Sequence, residues 1–103
     1  TSSEAIAAAV RSAIARAHEI GVASIAFPAL GTGIGGFPLD EAATVTVRTV
    51  REELDEGDPI EHVIFALRGA APYEAFGRAL RADASLAAAM AGAPVAPTSG
   101  ADA

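Results

Sequence analysis

A glycine-rich stretch places the strongest constraint on how this chain can fold. An apolar run that ends at Phe27 leads into four glycines within six residues, from Gly31 to Gly36, and Pro38 then opens a helical pattern as its first residue. Glycine accepts positive φ and lets a ligand approach the backbone closely. A strand, a glycine-rich turn and a helix start together direct several backbone N–H groups at one point, where the helix dipole adds partial positive charge. The stretch predicts a cradle for an anion, most often a phosphate; the alternative is a loop whose glycines serve only tight turning.

Hydrophobic periodicity predicts an α/β chain in the order α-β-loop-α-β-α, followed by a tail. The predicted elements are a helix that Gly21 ends, a strand over 22–27, a helix from Pro38, a strand over 62–67 and a helix from Pro72. Their predicted buried stripes are Ile6, Val10, Ala13, Ile14, Ala17 and Ile20, then Ala43, Val47, Val50 and Leu54, then Tyr73, Phe76 and Leu80. Both strands are continuous apolar runs, which are typical of parallel strands covered on both faces. The chain therefore predicts one right-handed βαβ crossover with two parallel strands.

Two strands are too few for an independent parallel sheet. Three or more strands with covered faces are needed for stability, so we expect the rest of a domain or a second chain to complete the sheet. Residues 1–91 are predicted to form one incomplete domain, without internal repeats. Residues 92–103 are rich in Pro, Gly, Ser and Ala and are predicted to be a disordered tail.

Composition excludes several classes of function. The net charge is −6 and all seven basic residues are Arg, which argues against nonspecific nucleic-acid binding and excludes Lys-dependent chemistry. Because there is no Cys, we expect no disulfide and no thiolate metal site, and nothing else in the sequence indicates a metal or a cofactor. Six acids between Glu52 and Glu61 surround Gly57 and Pro59 and are interpreted as a solvated turn, and His18 as a solvated or capping residue.

An uncharged run over 20–39 has the length of a membrane span. It contains five Gly and two Pro, so it is interpreted as strand and loop instead. Thr1 to Glu4 lack the basic start of a signal peptide. We therefore expect a soluble, cytoplasmic protein without a membrane partner.

Gly31, Gly33 and Gly36 also match G-x-G-x-x-G, the fingerprint of dinucleotide-binding Rossmann units. In that fingerprint the strand runs directly into the first glycine and the helix already includes the third. Here Pro28 and Pro38 separate the glycines from both elements, and Arg68 rather than an acid follows the next strand. An NAD(P)-binding unit is therefore a remote alternative.

The string from Ser24 through Phe27-Pro28, the glycines and Phe37-Pro38 to Leu39 resembles the phosphate loop of a macro domain, the ADP-ribose-binding fold. The resemblance covers residues 4 to about 81, including the Glu61–Phe65 strand and Tyr73–Phe76. It implies the C-terminal half of a three-layer domain whose first half supplies the adenine-binding Asp and an Asn-rich strand end. Gly35 departs from the family pattern, because many members have Tyr or Phe there.

The resemblance also implies a ligand and a set of binding residues. The backbone around Thr32 to Gly36 would hold the diphosphate of ADP-ribose or of an ADP-ribosylated protein, and Phe37 would lie against the distal ribose. The implied ligand-binding residues are Ala29, Leu30, Gly31, Thr32, Gly33, Ile34, Gly35, Gly36 and Phe37. No catalytic residue is evident. The complete domain would either hydrolyse ADP-ribosyl or O-acetyl-ADP-ribose esters or bind without turnover, and a truncated fragment that binds nothing is a third alternative.

Overall fold

The computed structural model describes residues 2–29, 37–83 and 98–99 of the 103-residue chain. The elements follow in the order α1 (Ser3–Ile20), β1 (Ser24–Phe27), α2 (Leu39–Glu53), β2 (His62–Leu67), α3 (Ala70–Ala82) and β3 (Thr98–Ser99). The prediction of an α/β chain with a β1-α2-β2 unit is confirmed. None of the described helices is long and apolar enough to cross a membrane.

Local signals in the sequence account for both ends of α1. The Ser2 side chain accepts a hydrogen bond from the Ala5 backbone N–H at 3.1 Å and caps the first turn. At the other end, Gly21 takes a left-handed conformation with φ 75° and donates its N–H to the Ala17 carbonyl. Glycine adopts this conformation without strain, so it ends the helix at this position.

The two longer strands are parallel and in register. Ser24 is paired with His62 and Phe27 with Phe65, so both strands end at the same edge of the sheet. Thr98 and Ser99 pair in parallel with Ala66 and Leu67, which gives the strand order β1-β2-β3. This third strand lies within the predicted disordered tail, and two residues are too few to produce a periodic apolar signal. The outer edge of β1 has no partner strand within the described part of the chain.

Within the described residues only one face of the sheet is covered, in contrast to the prediction of two. Phe27, Phe65 and Leu67 are buried and pack in one cluster with the buried faces of α1, α2 and α3. The alternate positions Ser24, Ala26, His62, Ile64 and Ala66 are all exposed. The described residues therefore form two layers, a sheet and one layer of helices, of the three layers expected. The sequence could not reveal the uncovered face. Its exposed positions include Ala26, Ile64 and Ala66, and apolar residues at these positions predict a strand that is covered on both faces.

Helix α2 lies between α1 and α3, and its buried surface is wider than the predicted stripe. Its buried residues are Ala42, Ala43, Val45, Thr46, Val47, Thr49 and Val50. The two buried threonines satisfy their hydroxyls locally, since Thr46 Oγ1 donates to the Ala42 carbonyl at 2.8 Å and Thr49 Oγ1 to the Val45 carbonyl at 2.7 Å. A helix with neighbours on both sides buries more than one narrow stripe.

Several boundary residues differ from the predictions. Val22 precedes β1 and is 37% exposed, and Ile20 at the end of α1 is 57% exposed, so neither belongs to the core. Leu54 caps the C-terminus of α2 and is half-buried. Pro38 occupies the N-cap position of α2 rather than its first turn. Helix α3 begins at Ala70, two residues before Pro72.

Candidate functional site

The carboxyl ends of β1 and β2 lie side by side and define one edge of the sheet, which we name the carboxyl edge. The segment after Phe27 leads from this edge into α2, and the segment after Leu67 leads into α3. In open α/β sheets, ligands bind outside the carboxyl ends of the strands. The glycine-rich stretch therefore starts from the edge at which a ligand is expected.

The structure describes both ends of the glycine-rich stretch but not its middle. Ala29 is half-buried and packs against the main core cluster. Phe37 is half-buried and packs against a second cluster of three buried residues, Ile6, Ala42 and Val45. The other residues of the predicted site, Leu30, Gly31, Thr32, Gly33, Ile34, Gly35 and Gly36, lie outside the described residues. Their role in ligand binding remains a prediction.

The start of α2 carries two acidic side chains, and both have partners. Asp40 Oδ1 accepts a hydrogen bond from Arg78 Nη2 of α3 at 2.6 Å, and the same ion pair raises the pKa of Arg78. Glu41 Oε2 accepts a hydrogen bond from the Ser3 hydroxyl of α1 at 3.1 Å. Asp40 lies in the first turn of α2, where the helix dipole favours an acid. Its contact with Arg78 also joins α2 to α3. Its ion pair with Arg78 reduces the repulsion that the carboxylate would exert on an anion near this helix end.

The turn from β2 into α3 brings further residues to the carboxyl edge. Arg68 is exposed and follows β2 directly, and Gly69 is the N-cap of α3 with φ 88° and no side-chain cap. Tyr73, predicted as part of the buried stripe of α3, is instead 40% exposed in the early part of that helix. Phe76 and Leu80 are buried as predicted.

Sequence reasoning placed Tyr73 wrongly, because the structure shows it exposed. Helical periodicity assigned Tyr73 to the core because it lies three residues before Phe76. The better signal was its position in the first turns of a helix that follows a parallel strand. Such residues lie beside the carboxyl edge of the sheet rather than over its centre.

At the opposite edge of the sheet, one half-buried carboxylate, that of Asp58, joins three segments of the chain. Asp58 Oδ1 accepts hydrogen bonds from the Ile60 backbone N–H at 2.9 Å and from His18 Nε2 at 2.9 Å, and Asp58 Oδ2 accepts one from the Asp55 N–H at 3.2 Å. The Ile60 N–H contributes most to lowering the Asp58 pKa, and His18 lowers it further. The acidic segment is thus a structured turn that joins α1 to the start of β2. Among the described residues there is no group of three or more His, Asp or Glu side chains that could hold a metal ion.

Comparisons with known proteins agree with the resemblance found in the sequence. Residues 1–46 match the family model described as Macro domain. A macro domain-containing protein of Streptomyces griseus is 44% identical over 75 residues, which cover 73% of this chain and 41% of that protein. An O-acetyl-ADP-ribose deacetylase of Klebsiella pneumoniae is 52% identical over 42 residues, which cover 41% of this chain and 24% of the deacetylase.

A solved structure gives the same result for the fold. A mutant macrodomain of Oceanobacillus iheyensis superposes with a TM-score of 0.68 and 25% sequence identity, over 77% of this chain and 42% of that one. The architecture, with helices packed on a parallel strand pair, is that of an α/β domain. The chain belongs to the macro domain family. It spans less than half the length of the curated relatives that it matches.

Proposed function

We propose that this chain contributes the diphosphate-binding loop of a macro domain that binds ADP-ribose or ADP-ribosylated protein. The observation that carries the proposal is the position of the glycine-rich stretch, which joins β1 to α2 at the carboxyl edge of a parallel strand pair. Ligands of open α/β sheets bind at such edges, and backbone N–H groups at a helix start favour phosphate oxygens. Membership of the macro domain family and the similarity to an O-acetyl-ADP-ribose deacetylase point to the same ligand.

The anchoring of the loop ends supports a backbone cradle. Ala29 packs against the main core and Phe37 against the second cluster, so both ends of the stretch are held by apolar contacts that require no ligand. A loop that is fixed at both ends loses less conformational freedom when it orders around a phosphate. Glycines between these ends let phosphate oxygens come within hydrogen-bond distance of the backbone.

The test is the binding of ADP-ribose to Gly33→Val, measured by calorimetry on the protein at its full natural length. A β-branched side chain would block the approach of the phosphate and disfavour positive φ. Charge-assisted hydrogen bonds contribute roughly 1.5–3 kcal/mol each, so the loss of two should weaken binding at least about a hundredfold. Thr32→Ala in the same loop is the matched control and should have a small effect if the backbone holds the phosphates.

Thermal unfolding of each variant shows whether the fold is retained. Gly33→Val should melt near the unchanged protein, because a glycine has no side chain to contribute to an apolar cluster. The proposal fails if the unchanged full-length protein does not bind ADP-ribose, or if Gly33→Val binds it as tightly as the unchanged protein.

A second candidate function is hydrolysis of an O-acetyl-ADP-ribose or ADP-ribosyl ester. The similarity over 42 residues to an O-acetyl-ADP-ribose deacetylase favours it. Neither strand end carries a carboxylate or an imidazole, since Pro28 and Ala29 follow β1 and Arg68 and Gly69 follow β2. Turnover would therefore depend on substrate positioning and an oriented water, with further groups from outside these two connections. Release of acetate from O-acetyl-ADP-ribose by the full-length protein would separate this activity from binding without turnover.

A further inference from the structure

We draw no further inference here: the strongest candidate, the exposed face of the β1–β2 sheet that contains Ala26, Ile64 and Ala66, carries nothing, because a cover for that face restates the three-layer architecture that the macro domain family already implies, and nothing among the described residues shows any other occupant.

Discussion

Two adjacent residues of β2 test whether one face of the sheet is uncovered in this chain. Phe65 is 4% exposed, and its ring lies 6.3 Å from the Phe27 ring and 5.2 Å from the Phe76 ring. Ile64 points to the other face and is 40% exposed. The perturbation is Phe65→Leu in one variant of residues 1–103 and Ile64→Thr in another.

The structure predicts that the two substitutions lower the free energy of unfolding by different amounts. Phe65→Leu keeps an apolar side chain but loses two ring contacts, each worth roughly 0.5–1.5 kcal/mol beyond burial, so we expect a loss of about 1–2 kcal/mol in the free energy of unfolding. Ile64→Thr keeps β-branching at a surface position, where substitutions usually change stability by about 0.5 kcal/mol or less. Full burial of an isoleucine would instead be worth about 1.5–3 kcal/mol.

Urea unfolding followed by circular dichroism measures both free energies under one set of conditions. The expected result is a clear shift of the midpoint for Phe65→Leu and almost none for Ile64→Thr, with unchanged slopes. If Ile64→Thr costs as much as Phe65→Leu, the face that contains Ile64 is covered in the isolated chain, for example by a second copy. Sedimentation of the unchanged chain would show such a copy, and the description of an uncovered face would then be wrong.

Two further predictions concern Asp58 and Phe37. The hydrogen bonds that Asp58 accepts lower its pKa in the folded chain, so its contribution to stability is present above the unfolded pKa of about 3.9 and is lost as pH falls through the lower folded value. Asp58→Asn should therefore lower the free energy of unfolding by about 1–2 kcal/mol near neutral pH and by progressively less in acid. Urea unfolding from about pH 7 to about pH 2 measures this difference. An equal loss at both ends of the range would contradict the link between the Asp58 pKa and stability. Phe37→Ala should lose about 1–2 kcal/mol of stability, because Phe37 packs against the cluster of Ile6, Ala42 and Val45, and Phe37→Leu should restore most of it. Measuring ADP-ribose binding to both variants separates the packing role of Phe37 from a contact with the ribose. If the ribose contact needs the aromatic ring, Phe37→Leu regains stability but not affinity.

Local signals predicted most of the secondary structure correctly. Gly21 ends α1, the His62–Leu67 strand has the predicted bounds, and the two longer strands are parallel. These features depend on single residues or on short periodic patterns, so the sequence contains them directly. The class of the fold followed from the alternation of helices and strands.

What the sequence did not reveal depends on neighbours that are distant along the chain. The wide buried surface of α2 results from its position between α1 and α3, which no property of α2 alone indicates. The exposed face of β2 contains Ile64 and Ala66, which an apolar pattern assigns to a core. Tyr73 has the spacing of a buried residue, and only the position of α3 on the sheet shows that it is exposed.

The residues around the candidate site differ in the same way. Glycines need no partner to be informative, because their positions in the sequence already predict where the backbone could approach a ligand. The partner of Asp40 is a different case: Asp40 is hydrogen-bonded to Arg78, which lies 38 residues further along the chain, and only the packing of α2 against α3 brings the two together.

The anchoring of the loop also explains why folding and binding can be tested separately. The ends of the glycine-rich stretch belong to different apolar clusters, Ala29 to the main core and Phe37 to the smaller cluster between α1 and α2. The apolar contacts that hold β1 and α2 are therefore made by residues outside the glycines. Under the proposed function, a change at Gly33 alters the backbone offered to a ligand, whereas a change at Phe37 alters a cluster to which the fold anchors that residue. If loop variants lowered stability as much as Phe37 variants do, the glycines would be part of the fold, and affinity losses in that loop would no longer report on the ligand.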